Sequence, residues 1–273
     1  MRKELTDICR IFVENTGVPS IFIPTNGSRP ATIISSVERI LDENPCIKLT
    51  LMFSLEGLPP LHDTIHDKQG AFSSVEESIK QLNFLRARLL RKKQRFGLLL
   101  NTVVSNQNID DVIPLMTYVQ KRILVDSHLL SPMRGDPKEP SLLAPSGEAF
   151  TRLTEQAKPF FDTYTRRGTS DEMTRTRIEE RLQQRYALWS DLLSGGQLPF
   201  PCQAGNRIGV LEPDGDVRLC ESFPVIGNVR ERDFDFSTVW FSPAGDESRD
   251  QVDGCSCTHG CFIGASEPPS ATL

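Results

Sequence analysis

Along the first half of the chain, stretches with an apolar residue at every third or fourth position alternate with short, nearly continuous apolar runs. The first kind has the period of a helix with one buried face; the second has the length of a buried strand. Residues 3–16 carry Leu5, Ile8, Ile11 and Phe12 at helical spacing, and Gly17 follows where a left-handed C-cap is expected. Ser20–Pro24 reads as a strand closed by the turn tripeptide Thr25-Asn26-Gly27. A helix over 31–43 gathers Ile33, Ile34, Val37, Ile40 and Leu41 on one face, and Asn44-Pro45 stops it. The alternation repeats as strand 47–55, helix 73–95, strand 97–104, helix 109–122 and strand 123–130. The helix over 73–95 turns basic at its end, which complements its dipole. Strands interleaved with helices in this way predict βαβ units and a parallel sheet, an α/β fold.

The second half reads differently. Residues 131–145 hold four prolines and a glycine and form an irregular connection. A helical region runs from Ser146, its expected N-cap, to about Leu193, and its charged stretch 166–185 reads as a solvated face. Gly195-Gly196 marks a boundary. Beyond it, Arg207–Leu211 and Asp216–Cys220 flank Pro213-Asp214-Gly215, the signature of a β-hairpin. Few apolar residues follow, so this part is expected to have a thin core that needs a staple, and the end from Glu267 reads as a disordered tail. The domain boundaries predicted are 1–145, a helical connector 146–196, a cysteine-rich extension 197–264 and a tail 265–273.

Composition adds exclusions. With 31 basic and 36 acidic residues, the net charge of −5 gives no basic excess for nucleic acid. No apolar run approaches the length of a membrane span, and the start MRKELTDICR lacks the apolar stretch of an export signal. The expected location is therefore the cytoplasm, where thiols stay reduced and clustered cysteines point to metal or catalysis before disulfides.

Of seven cysteines, five lie between 202 and 261. Cys9 and Cys46 stand alone and read as packing residues. The others run Cys202-x12-Gly215-x4-Cys220, then after 34 residues Cys255-x-Cys257-x3-Cys261. A tight turn at Gly215 brings Cys202 and Cys220 to one end of the hairpin. Thiolates converging in this way suit tetrahedral zinc or an iron–sulfur cluster, and spacing leaves the two open. His259, between Cys257 and Cys261, is a further candidate ligand in the zinc case.

The run Ile208-Gly-Val-Leu-Glu-Pro-Asp-Gly-Asp-Val-Arg-Leu-Cys220, followed by Ile226-Gly-Asn-Val229, Val239-Trp240 and the closing cysteines, resembles the SPASM or twitch extension of radical S-adenosylmethionine enzymes. The front of the chain is similar to the same superfamily. Ile21-Phe-Ile-Pro-Thr-Asn-Gly27 resembles its strand ending in Thr-Asn-Gly, and Phe53-Ser-Leu-Glu-Gly57 with Leu61-His-Asp63 resembles the next, with Glu56 where Asp is usual. Asn101-Thr-Val-Val104 with Asn106 and Asn108 resembles the strand after that. The likeness spans about residues 3–261.

The resemblance implies an incomplete (β/α) TIM barrel of parallel strands, then a helical linker and a small cysteine-rich extension. It implies an auxiliary 4Fe–4S cluster, one rather than two, held by four of Cys202, Cys220, Cys255, Cys257 and Cys261, with Cys257 and Cys261 the surest. It places Thr25, Asn26, Ser54, Glu56 and Asn101 at the barrel mouth around S-adenosylmethionine, at the C-terminal ends of strands. Asp126-Ser-His128 and Met133-Arg-Gly135 would face that mouth and meet substrate. The reaction class implied is radical C–H activation in peptide or cofactor modification, on a peptide or small-molecule substrate, with ferredoxin or flavodoxin as electron donor. The Cys-x3-Cys-x2-Cys loop of the catalytic cluster does not occur in the sequence. Since the first element is a helix with no strand before it, the expectation is an N-terminally truncated enzyme, inactive alone. The alternative is a non-catalytic iron–sulfur or zinc-binding partner or assembly protein.

Overall fold

A computed structural model of the chain describes residues 4–137 and 139–268. It divides into two compact units, the first comprising Met1–Met133, Ser141–Pro145 and Ala149–Gln184, the second Arg134–Pro140, Ser146–Glu148 and Arg185–Leu273.

The first unit is built on four strands, β1 (Ser20–Thr25), β2 (Lys48–Ser54), β3 (Arg95–Val104) and β4 (Ser127–Pro132), paired in parallel in the order β1-β2-β3-β4. Helices α1 (Leu5–Thr16), α2 (Pro30–Glu43), α3 (Pro59–Ile65), α4 (Ala71–Arg91) and α5 (Val112–Arg122) precede and join them. Gly17 caps α1 in the left-handed conformation, φ 63°, with its N–H on the Val13 carbonyl. Sequential order with parallel pairing requires every crossover to have the same hand, so α2, α4 and α5 all pack on one face, as in an arc of a (β/α) barrel.

That face is the core. Leu49, Leu51, Phe53, Leu98 and Leu100 meet Ile33, Val37, Ile40 and Leu41 of α2, Val75, Ile79, Leu82 and Leu85 of α4, and Leu115 and Val119 of α5. The opposite face carries Phe22, which is 51% exposed, with half-buried Met52 and Leu99. One close approach sets the end of β1: a Cβ on Gly27 would stand 3.0 Å from the Cα of Val75, and the Gly27 φ is 67°. Only glycine fits there. The bare backbone lets buried Ser78 donate to the Gly27 carbonyl at 2.8 Å.

Boundaries differ from expectation in three places. The long helix ends at Arg91 rather than 95, because Lys93 takes φ 59° and buried Gln94 turns inward to donate to the Leu41 carbonyl at 2.7 Å. The last strand starts at Ser127 rather than 123, since Ile123 and Val125 are used in closing α5 onto the core. Helix α3 was missed; its two prolines sit in the first turn, where they cost no hydrogen bond.

Asp126 and His128 do not face the mouth. Asp126 precedes β4, at the opposite end of the sheet, where its carboxylate accepts from the Leu98 N–H at 2.7 Å and pairs with Arg86. His128 aligns with Leu100 and so points into the helix-covered core. Thr102 Oγ1 donates to the Leu55 carbonyl at 2.6 Å and is 2.8 Å from His128 Nε2. The hydroxyl having spent its proton, Nε2 donates, and Nδ1 is left without a partner. Burial drives the His128 pKa down to about 4. Cys9 is buried in α1 as expected, whereas Cys46 is exposed.

Helices α6 (Gly147–Gly168) and α7 (Glu172–Leu193) replace the single helical region. Tyr164 of α6 joins the first unit's core, and α7 is exposed along 172–174, as a solvated charged face requires. In the second unit, β5 (Val210–Leu211) and β6 (Asp216–Arg218) form the hairpin, with Gly215 at φ 99°. A third antiparallel strand, β7 (Val225–Asn228), and helices α8 (Phe236–Trp240), α9 (Pro243–Asp250) and α10 (Gly260–Ser266) were not anticipated. Ile226 of β7, Val239 of α8 and Phe262 of α10 join Val217 of β6, Leu219 and Val252 in the core thought to be lacking. Ordered chain also continues past 264, since α10 reaches Ser266 and Glu267 accepts from Arg185 at 2.7 Å; residues 269–273 lie outside the described ones. Among the described residues no helix is long and apolar enough to cross a membrane.

Two measurements check this packing. Phe53→Ala should cost about 3–5 kcal/mol in chemical unfolding of the first unit. A histidine held neutral in the fold stabilises fully above its unfolded pKa and loses that contribution as pH falls. Stability should therefore drop between about pH 6.5 and 4, by up to about 3 kcal/mol from His128, and His128→Gln should flatten that slope.

Candidate functional site

The C-terminal ends of the strands carry polar side chains, as a barrel mouth requires. Ser54 of β2 and Asn101 of β3 are register partners and share the open face of the sheet. Asn101 is largely buried, and its Oδ1 accepts from Ser131 at 2.8 Å. Thr25 is paired with Phe53, one residue out of phase with Ser54, and so belongs to the helix-covered face. It lines a groove with Leu5, Ile8, Ile23, Arg29 and Ile33, and its hydroxyl accepts from the Gly27 N–H at 3.2 Å. Asn26 is exposed and accepts from Ser28 N–H at 3.2 Å. Thr25 and Asn26 thus form a hydrogen-bonded turn, and of the five expected residues the sheet brings Ser54 and Asn101 side by side.

Glu56 lies just past β2, with 7% of its surface exposed. Its Oε2 stands 2.9 Å from His66 Nε2 and 3.2 Å from His62 Nδ1. Burial alone would push the carboxyl up, but the two imidazoles beside it, His62 and His66, more than offset this and hold it below the usual range. The hydrogen bond to Glu56 raises the pKa of His66. The backbone around Glu56 is fixed as well: its N–H donates to His62 Nδ1 at 3.1 Å, and its carbonyl accepts from Asn108 Nδ2 at 2.9 Å. Asp63 turns away to the start of α4, accepting from the Gly70 and Phe72 N–H groups at 2.6 and 2.9 Å. Asn106 ties down residues 141–143, accepting from Leu143 N–H and donating to the Ser141 carbonyl. The two histidines were not singled out from sequence as a pair, although His62-x3-His66 next to a helix was a readable signal.

In the second unit the cysteines are drawn together by two serines. Ser256 Oγ accepts from Leu198 N–H at 3.1 Å, and Ser266 Oγ accepts from Gln203 N–H at 2.8 Å. These bonds hold the segment bearing Cys202 against the closing loop. Cys220, at the end of β6, is buried, and its thiol pKa is raised by burial and by the charges of Cys257 and Cys202. Burial pushes Cys255 up to about 11, with further contributions from Cys257, Cys202 and Cys220. Cys202, Cys220 and Cys257 thus all act on Cys255. Cys261 is exposed at the start of α10 and is not among the groups acting on Cys220 or Cys255. Among the described residues no three of these sulfurs lie within 4.8 Å of one another. His259, 4% exposed, is 3.1 Å from Glu221, which Arg134 also pairs at 2.8 Å.

No family model and no curated protein matches the chain. Among solved structures, Streptococcus suis SuiB is similar with a TM-score of 0.54 at 15% identity, over 96% of this chain and 60% of that one. Native anSMEcpe with bound AdoMet and Kp18Cys peptide gives a TM-score of 0.45 at 15% identity, covering 91% of this chain and 74% of that one. The likeness to SuiB is one of fold. It agrees with the α/β class of parallel strands and helices, followed by a cysteine-rich region, that the radical S-adenosylmethionine resemblance implies.

The Glu56 arrangement is open to direct titration. By NMR in chelator-treated buffer, the His66 imidazole should titrate above the ordinary value of about 6.5. Glu56→Gln should bring it down; an unchanged midpoint in that variant would show that the carboxylate does not set it.

Proposed function

We propose that this chain is a radical S-adenosylmethionine-type protein whose second unit binds one auxiliary 4Fe–4S cluster through Cys202, Cys220, Cys255 and Cys257. The observation that carries the reading is the grouping of these cysteines in a small fold stapled by Ser256 and Ser266, where Cys202, Cys220 and Cys257 all act on Cys255. The burial and repulsion that raise Cys220 and Cys255 are relieved by a cationic centre, since metal ligation requires thiolates. The residues fit such a group. Tetrahedral zinc, with Zn–S near 2.3 Å, gathers sulfurs to within roughly 3.8 Å of one another, whereas a cubane holds its ligands at separate corners and spreads them. That no three of these sulfurs lie within 4.8 Å of one another favours iron–sulfur over zinc.

When bound, the cluster supplies one-electron chemistry. The chain's own part is to hold it: Ser256 and Ser266 orient the Cys202 segment, and the core around Val217, Leu219 and Phe262 limits water. In the first unit, Ser54 and Asn101 offer hydroxyl and amide groups on the open face of the sheet, suited to the ribose and amino-acid portions of S-adenosylmethionine. The substrate class we propose is a peptide, with a small cofactor precursor as the other member of the class, and a ferredoxin or flavodoxin as donor. Because the sequence contains no Cys-x3-Cys-x2-Cys run, the chain lacks the thiolates that would hold a cofactor-cleaving cluster. That absence favours the second reading for the chain by itself, a non-catalytic iron–sulfur partner.

Anaerobic reconstitution of the chain with iron and sulfide should yield a brown protein with about four irons, the content of one cubane. Cys220→Ser and Cys257→Ser should abolish that loading, and Cys261→Ser should keep it. Bound zinc in place of iron, or loss of iron in Cys261→Ser alone, would overturn the ligand set. Under reducing conditions with S-adenosylmethionine the chain should form no 5′-deoxyadenosine; product formation would refute the assignment of the missing thiolates.

A further inference from the structure

A second donor cluster lies in the first unit, away from the thiols in chemistry. Glu56 Oε2, His62 Nδ1 and His66 Nε2 converge within 4.8 Å of one another. The two histidines are four residues apart, His62 within α3 and His66 at its C-cap, where the His66 N–H closes on the His62 carbonyl at 3.1 Å. That spacing places both imidazoles on one side of the helix, with ring centroids 4.3 Å apart. Glu56 reaches them from the end of β2.

The distances suit a small divalent ion. With metal–nitrogen and metal–oxygen bonds near 2.0–2.1 Å, tetrahedral ligation sets neighbouring donor atoms roughly 3.3 Å apart. The carboxylate oxygen stands 3.2 Å from one imidazole nitrogen and 2.9 Å from the other. A proton on His66 accounts for its pairing with Glu56. It does not account for His62. There Nδ1 accepts the Glu56 N–H at 3.1 Å, so it presents a lone pair, not a proton, 3.2 Å from a carboxylate oxygen. The two acceptors face each other with side chains 1% and 9% exposed. Such a contact is repulsive unless a positive charge lies between them.

We propose that Glu56, His62 and His66 form a site for one divalent cation of the zinc class, with two imidazole nitrogens and one carboxylate as ligands. On binding, the ion takes the place of the Glu56 N–H at His62 Nδ1 and of the proton between His66 and Glu56, so binding releases protons and weakens at low pH. His66 is the most accessible of the three, its side chain 28% exposed, which opens the fourth position toward solvent. Asn108, on the Glu56 carbonyl, and Asp63, on the start of α4, hold the two arms of the site as second-layer partners do. A site of two histidines and one carboxylate with an open position is also the donor set of hydrolytic zinc and non-haem iron centres.

The test is anaerobic titration of the full chain with cobalt(II), a coloured stand-in for zinc. Nitrogen and oxygen ligands give weak visible bands alone, whereas thiolate ligands add intense near-ultraviolet charge transfer, so the two units report separately. One equivalent of cobalt should bind with visible bands free of that charge transfer, and zinc should displace it. His66→Ala, at a half-exposed position outside the sheet, should weaken this phase at least about tenfold, and Glu56→Gln likewise; circular dichroism confirms that each variant folds. Cys220→Ser should leave it unchanged. The proposal fails if every bound cobalt shows thiolate charge transfer, if no such phase exists, or if His66→Ala binds within tenfold of the parent chain.

Discussion

In the first unit, apolar side chains of β2 and β3 are buried under α2, α4 and α5 on one side of the sheet. Among the described residues the other side is less apolar, with exposed Phe22 and half-buried Met52 and Leu99. A parallel sheet is ordinarily buried on both faces, so this asymmetry is a demanding arrangement. Within this sheet β2 and β3 are paired on both sides and β1 and β4 on one, and the strand ends must find partners in loops. Everything chemically distinctive in this unit sits at those ends. Gly27 lies against the Val75 backbone, and Asn108 bridges the Val103 and Glu56 carbonyls.

The helical and strand periods made this half legible. Where a face must be apolar, the spacing of Ile33, Val37, Ile40 and Leu41 has one interpretation, and the structure uses it. Orientation at strand ends was less readable. A tripeptide such as Thr25-Asn26-Gly27 is compatible with a ligand site or a turn, and strand register decides; alignment of Thr25 with Phe53 turns it to the helices. The same register turned His128 inward, where Thr102, already committed to a carbonyl, leaves it neutral. No local signal in the sequence distinguishes that histidine from one at a mouth.

The extension was legible through its cysteines and less so through its packing. Counting apolar residues between 221 and 264 suggested a poor core because they are dispersed, yet three short helices and a third strand collect them. In the proposed ligand set, the choice among the five thiols rests on three dimensions. Cys-x-Cys-x3-Cys permits either neighbour of Cys257 to join it. A helix beginning at Gly260 carries Cys261 outward, while the turn closed by the Cys255 N–H on the Val252 carbonyl at 3.0 Å carries Cys255 inward. Ser256 then fixes the loop between them.

Two donor sets in one chain raise the question of how each would keep its own metal. Raw affinity rises along the divalent series for almost any ligand, so selection rests on donor softness and geometry. Thiolates favour iron–sulfur assembly and compete strongly for zinc. Imidazole and carboxylate favour borderline divalent ions and offer no sulfur to a cubane. The cysteines lie in one compact unit and the Glu56 triad in the other, each fixed by its own backbone ties: Ser256 and Ser266 in one case, Asn108 and the α3 turn in the other. The triad also bears on how Glu56 is read in a radical S-adenosylmethionine fold. A carboxylate already shared by two imidazoles, and nearly buried, is poorly placed to meet a ribose hydroxyl as well. Ser54 and Asn101, side by side on the open face, carry that contact in the proposed function, and the added methylene of Glu56 extends its carboxylate toward His62 and His66 instead.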